Sequence, residues 1–182
     1  GAVVSIVSMA KQRGFGALGT PLGAITDAAW QDMISHFGLD ENLPENARMD
    51  QVIAMSKVVL NRSNLNLEII DYDDMVYLPL QRDLRMLQND WVLIDEAQDT
   101  NPTRRALAKK MLKPGGRLVA VGDPHQAIFG FTGADNDSLS IIKDEFNCVE
   151  MPLTVTYRCP KAVVEHARNW VSHITAHDTA PE

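Results

Sequence analysis

Cysteine is nearly absent: Cys148 and Cys159 are the only two in 182 residues, and their spacing forms neither a disulfide framework nor a metal-ligand pair. A reducing compartment is the expectation that follows. No apolar run approaches the ~20 residues a bilayer span needs, so a membrane-embedded role is not expected. Positive charge is also short, with 17 Lys and Arg against 24 Asp and Glu for a net charge of −7. That balance argues against coating nucleic acid by bulk charge and leaves only a local basic groove on an acidic body. The opening "GAVVSIVSMAKQRG" has no charged segment before its apolar residues and so lacks the pattern of a signal peptide. Its β-branched "AVVSIV" reads as a buried strand cut from a longer protein. Repeats and low-complexity tracts are absent as well.

What is present is 45% hydrophobic residue content, enough to bury a core in a chain of one domain or one and a half. "AITDAAWQDMISHFG" carries apolar residues at helical spacing with Gly38 as a stop. After the polar break "LDENLPEN", Met49, Val52, Ile53, Met55, Val58, Val59 and Leu60 mark a second helix with a broad apolar face. "DYDDMVYLPLQRDLRML" predicts a further helix interrupted at Pro79, its acidic run capping the positive end. From Trp91 the texture changes: "WVLID", "PTRRALAKKML", "KPGG" and "RLVAVGD" give strand, helix, turn and strand. This βαβ rhythm, with near-continuous apolar strands, predicts a parallel sheet covered on both faces, in which ligands gather at the carboxyl ends of the strands. "DSLSIIKDEF" follows as a helix, "CVEMPLTV" as a strand and "PKAVVEHARNWVSHI" as a helix entered through Pro160.

Both strands of the βαβ unit end in aspartate at that carboxyl edge. Asp95 followed at once by Glu96 supplies what magnesium-dependent phosphoryl transfer asks for: one acid for the ion and one for the attacking water. The competing reading is a solvated, acidic strand end. In "VGDPHQAIFGFTGAD", Asp123 sits at the second strand tip and Gln126 one turn on, where an amide could orient water or touch a γ-phosphate. Phe129 and Phe131 lie in a glycine-interrupted stretch that suits stacking on single-stranded bases, or packing beneath the sheet edge. Tyr157 and Arg158 end "LTVTYRCP" just before a Pro-initiated helix, an arginine fit to neutralise phosphate charge beside a ring fit to stack.

Taken in order, "VLIDEAQD", "VGDPHQAIFGFTGA" and "LTVTYRCP" resemble motifs II, III and IV of UvrD/Rep-type superfamily 1 DNA helicases, and "IDYDDMVYLPL" is similar to the segment that precedes motif II there. The resemblance implies a partial RecA-like P-loop NTPase parallel sheet with an α-helical insertion subdomain. Residues 1–18 and 67–182 would form the partial first RecA-like domain and 19–66 the insertion. It also implies ATP and Mg2+ as cofactors, single-stranded or partly duplex DNA as partner, and a bacterial or phage protein of the cytoplasm, associated with the nucleoid. By position, Asp95 would bind magnesium, Glu96 would be the general base, Gln98 would link the nucleotide to the nucleic-acid side, and Gln126 would sense the γ-phosphate. Tyr157 would stack on adenine, Arg158 would be an arginine finger, and Phe129 and Phe131 would stack on single-stranded DNA.

Three departures qualify the likeness. "FTGA" places Thr132 where the family commonly has arginine, and no G-x-x-x-x-G-K-[ST] phosphate loop occurs; a motif Ib histidine-serine pair is missing too. The chain is therefore expected to be a fragment whose phosphate loop and second RecA-like domain belong to the missing remainder of the helicase, and to be inactive alone. The alternatives are the motor part of a RecB/AddA-type helicase-nuclease and a silent remnant that binds DNA or protein. Elsewhere, His173 and His177 are four apart on a predicted helix but lack a third metal ligand. His125 reads as a solvated loop side chain, Arg104, Arg105, Lys109 and Lys110 mostly as a solvated helix face, and Trp30, Trp91 and Trp170 as core anchors.

Overall fold

The computed structural model describes residues 1–127, 134–135 and 137–182. It divides into two compact units, Gly1–Cys148 and Val149–Glu182. The first begins with four helices around one apolar core: α1 (Ala2–Gln12), α2 (Asp27–His36), α3 (Met49–Leu65) and α4 (Asp74–Gln81). "AVVSIVSM" is thus a helix and not the expected strand. Its buried residues Ile6, Val7 and Ala10, with half-buried Val3, recur at helical spacing, and that burial against α2 and α3 overrides the β-branched preference. Trp30 lies at the centre of the core, with Phe15 edge-on to it at 5.1 Å. Thr26 caps α2 by accepting a hydrogen bond from the Ala29 amide, and Gly38, left-handed at φ +60°, follows its end as expected. The buried stripe of α3 is narrower than its sequence suggests, because Ile53 and Leu60 are buried whereas Met55 and Val58 are exposed. Helix α4 runs through Pro79 rather than stopping there; Pro79 lies in the last turn and its carbonyl accepts from Leu84.

The acidic run before α4 caps it and also fastens it to α1. Asp71 and Asp74 form a reciprocal pair, the Asp74 amide donating to Asp71 Oδ1 at 2.8 Å and the Asp71 amide to Asp74 Oδ2 at 3.1 Å. Lys11, buried on α1, inserts its ammonium between them, 2.8 Å from Asp71 Oδ2 and 2.7 Å from Asp74 Oδ1. Asp73 accepts from Ser8 and Gln12. Burial works against the Lys11 charge, but the hydrogen bonds and charges of Asp71 and Asp74 together outweigh it and hold the amine above its ordinary pKa. Tyr77, also buried, donates to the Phe15 carbonyl at 2.7 Å and closes the loop after α1 onto α4.

Strand β1 (Asn89–Ile94), helix α5 (Pro102–Met111) and strand β2 (Leu112–Ala120) form the expected βαβ unit, with β1 and β2 parallel. The pairing runs Trp91 to Arg117 and onward to Ile94 with Ala120. Between Asn89 with Leu112 and Trp91 with Arg117 the register slips, and the extra residues of "KPGG" bulge from β2. Gly115 is left-handed at φ +77°, and a Cβ on Gly116 would lie 3.1 Å from the Asp90 carbonyl. The strands are not covered on both faces as expected. Trp91 is 53% exposed and Leu93 74%; as alternate residues of β1 they share one face, and that face is open, while Val92 and Ile94 on the other are half-buried. Helix α6 (Ser138–Phe146) completes the unit.

In the second unit, β3 (Val155–Thr156) and β4 (Thr175–Ala176) pair in parallel, and α7 spans Lys161–Ala167. The strand expected over "CVEMPLTV" shrinks to two residues, and the helix expected to reach Ile174 stops at Ala167. That moves His173 and His177 off any helix and removes their metal-pair spacing. Trp91 and Trp170, unlike Trp30, are exposed and are not core anchors. Among the described residues no helix is long and apolar enough to cross a membrane.

Lys11→Met leaves Asp74, only 3% exposed, without its cation, whereas Asp71 is 57% exposed. The expected loss is about 3–5 kcal/mol for Lys11→Met. A clearly smaller loss is expected for Asp71→Asn, both read from urea unfolding followed by tryptophan fluorescence.

Candidate functional site

The parallel pairing of β1 and β2 brings their carboxyl ends out side by side. Past the strands the ladder continues for two more bonds, Val121 N to the Ile94 carbonyl and Ala97 N to the Val121 carbonyl, each 2.9 Å. These bonds fix "DEAQD" against "VGD". Asp95 and Glu96 are both exposed at this edge. Glu96 has a left-handed backbone, φ +49°, an uncommon conformation for a residue with a Cβ that marks a sharp turn out of the strand into the short 3₁₀ turn Ala97–Asp99. Asp95 Oδ1 accepts from the Glu96 amide at 3.0 Å, leaving its second oxygen to face outward.

Gln98 lies beneath this edge, 4% exposed. Its Nε2 donates to Glu96 Oε2 at 2.8 Å and, more weakly, to Asp99 Oδ2 at 3.4 Å, while its Oε1 accepts from the Asp123 amide at 3.1 Å. Only this orientation of the amide satisfies both neighbours, because the carboxylate needs a donor and the backbone N–H an acceptor. Asp123, just past β2, accepts from the His125 amide at 2.9 Å and from Gln126 Nε2 at 2.8 Å. The structure thus brings Asp95, Glu96, Gln98 and Gln126 to one edge, with Asp123 between the last two. His125 is exposed, as expected.

The site rests on the helices behind it. Thr103 Oγ1, at the start of α5, donates to the last carbonyls of α1, with Lys11 O and Gln12 O each at 2.7 Å. Ser138 Oγ donates to the Thr100 carbonyl at 2.7 Å. Asp135 binds two arginines, Arg13 from the end of α1 and Arg105 from α5 at 2.7 Å; Arg105 also donates to the Thr100 carbonyl. Burial raises the Asp135 pKa, but Arg13 and Arg105 together outweigh it and hold the carboxyl below the ordinary range. Arg105 therefore departs from the solvated face expected of its neighbours. The signal in the sequence is its helical spacing with Ala108, which places the two on the buried face of α5.

Tyr157 and Arg158 follow β3 in the second unit. The Tyr157 ring stacks on His177, centroids 4.2 Å apart, and the Arg158 amide donates to Thr156 Oγ1 at 3.3 Å. Phe129, Phe131 and Thr132 lie outside the described residues.

Among the described residues no group of three or more His, Cys, Asp or Glu side chains could cage a metal. Magnesium at phosphate sites keeps several waters and takes one or two carboxylates, the phosphates supplying the rest. The outward oxygen of Asp95 fits that demand.

A mixed α/β unit with acidic residues at the strand ends and a glutamine in the turn after the neighbouring strand is the class this geometry defines. The family of UvrD/REP helicase N-terminal domains matches residues 23–147, and the chain belongs to it. The ATP-dependent DNA helicase Rep of Buchnera aphidicola subsp. Schizaphis graminum is 30% identical over 123 residues, 63% of this chain and 18% of that protein. Rep of Escherichia coli K12 is 31% identical over 108 residues, 54% and 16%. The helicase PcrA of Staphylococcus epidermidis is 27% identical over 155 residues, 77% and 21%. The chain spans about a fifth of the length of the curated relatives it matches.

Asp135 contributes stability that is fully present above the ordinary aspartate pKa of about 3.9 and is lost as pH falls toward its lowered folded value. The stability gap between the wild type and Asp135→Asn is therefore expected to be widest near neutrality and to shrink below about pH 4, as measured by urea midpoints across pH.

Proposed function

We propose that this chain is part of the motor of an ATP-dependent DNA helicase, a partial RecA-like domain (1–18 and 67–182) with a helical insertion (19–66). The observation that carries the proposal is the exposed Asp95–Glu96 pair at the carboxyl end of β1, held beside Gln126 through Gln98 and Asp123. The Rep and PcrA relatives are named ATP-dependent DNA helicases, which supports ATP as substrate and DNA as partner. No G-x-x-x-x-G-K-[ST] occurs in the 182 residues, so hydrolysis by this site needs a phosphate cradle, and a second RecA-like domain, supplied by residues outside them. The two free cysteines accord with a cytoplasmic setting.

Asp95 would hold the magnesium through its water shell, and the ion, when bound, would neutralise charge on the phosphates. Glu96 has Oε2 engaged by Gln98 and takes the proton of the attacking water on Oε1. As that water oxygen bonds to the γ-phosphorus, the bond to the bridging oxygen breaks and ADP leaves. Gln126 orients water against the γ-phosphate, Arg158 neutralises its developing charge, and Tyr157 stacks on adenine. Phe129 and Phe131 stack on single-stranded bases.

In the intact helicase, Glu96→Gln is expected to lower kcat for ATP by about 10²–10⁴-fold with nucleotide binding retained. Hydrolysis at the wild-type rate rejects the assignment. Phe131→Ala is expected to weaken single-strand binding by about 1–3 kcal/mol while sparing nucleotide affinity, and equal losses of both count against stacking.

A further inference from the structure

The outward-facing groups of the site are held by inward-facing ones that take no part in the chemistry above. Gln98 is buried, and both ends of its amide are committed, one to the Glu96 carboxylate and one to the backbone of the neighbouring strand. Gly122 makes this approach possible. A Cβ there would lie 2.5 Å from Gln98 Oε1, 3.0 Å from the Ala97 amide and 3.1 Å from the Gln98 amide, and the last two are backbone atoms that cannot swing away. Gly122 is not left-handed, so its lack of a side chain answers to space and not to backbone conformation. On the far side of the same peptide, the Asp123 carboxylate is divided between the His125 amide and the Gln126 side chain. One continuous hydrogen-bonded line therefore runs Glu96, Gln98, Asp123, Gln126 across both strand ends. It joins the Glu96 carboxylate to the glutamine in the turn that follows the other strand.

The geometry points to Gln98, Gly122 and Asp123 as positioning residues: Gln98 holds the Glu96 carboxylate in one orientation, Gly122 admits Gln98 to the strand edge, and Asp123 parks the Gln126 side chain. This rests on Glu96 being the general base. Glu96 needs such a hold because its carboxylate is exposed on a left-handed turn, where a free side chain samples several rotamers and spends little time aimed at a water. A donated hydrogen bond from a buried amide selects one rotamer and leaves Oε1 outward. Asp123 works differently. Its bond runs to the exposed Gln126 side chain, so Gln126 can leave it for a phosphate oxygen without opening the buried part of the line.

The test pairs two independent disruptions with two readouts. In the intact helicase, Gln98→Met and Gly122→Ala are each expected to lower kcat for ATP by about tenfold to a hundredfold while KM changes little. In a Glu96→Gln background neither is expected to lower it further, because both act through Glu96. In the 182-residue chain, hydrogen exchange by NMR is expected to show a protected Asp123 amide and slowed Gln98 side-chain protons, with protection lost in Gly122→Ala although circular dichroism keeps the wild-type spectrum. Wild-type kcat in both variants, or an unprotected Asp123 amide in the wild type, overturns the inference. Full additivity with Glu96→Gln overturns it as well. Should Gln98→Met fail to fold, Gly122→Ala carries both readouts from the opposite strand. A Glu96→Gln protein that hydrolyses ATP normally sinks the functional reading instead, whereas a dead Glu96→Gln beside an unaffected Gln98→Met sinks the positioning roles alone.

Discussion

Parallel pairing of β1 with β2 is the constraint on which the candidate site depends. In a parallel ladder both strands leave the sheet at the same edge, so residues far apart in sequence arrive together, here Asp95 and Glu96 beside Asp123. The ladder does not stop where the strands do. The bonds from Val121 and Ala97 carry it into the turn, and the space at Gly122 lets the two chains close to the distance at which one glutamine side chain spans them. A methyl group at that point would part the strands at the place where their functional groups must stay in register.

That edge is stiff because it is fixed to a core it does not share. The apolar core lies among α1 to α4, while β1 and β2 expose much of their apolar surface. Polar ties join the two. Thr103 caps α1 from α5, Asp135 binds Arg13 of α1 and Arg105 of α5, and Arg105 and Ser138 both reach the Thr100 carbonyl immediately after the acidic turn. Each removes a buried donor or acceptor that would otherwise be costly. Together they convert the packing of the helices into a fixed height and angle for the turn that carries Glu96.

Much of this was legible in the residues. The βαβ unit, α5, α6 and the stop at Gly38 follow from hydrophobic period, Pro at the first turn and Gly at the end, all local signals. Asp95 and Glu96 stand out because acidic residues directly after an apolar strand have few structural reasons to be there, and Gln126 because it lies one turn beyond the aspartate that follows the second strand. What failed failed where local preference competed with packing. "AVVSIV" has the side chains of a strand, yet Val3, Ile6, Val7 and Ala10 already carry helical spacing, and tertiary burial decides between the two. The apolar texture of β1 and β2 predicts burial on both faces, but composition reports what a strand can bury and not which elements supply the cover. Asp123 at its strand tip was visible, but its service to Gln126 is a matter of side-chain direction, and the pairing of Arg105 with Asp135 spans too many residues for any local pattern to reveal.

The acidity of the chain takes a different meaning once its carboxylates are followed one by one. Asp71, Asp73 and Asp74 form the densest acidic run, close in sequence to the candidate site, yet every one is engaged: two with Lys11 and with each other's amides, the third with Ser8 and Gln12. Asp135 is shared by two guanidinium groups. A divalent cation approaching these groups would have to displace partners already in contact, at the cost of leaving a buried lysine or arginine unpaired. Asp95 is spared that competition, since one of its oxygens meets only a backbone amide and the other points to solvent. Within the net charge of −7 there is therefore a division of labour, in which Asp71, Asp73, Asp74 and Asp135 tie helices together while Asp95 at the strand edge stays exposed.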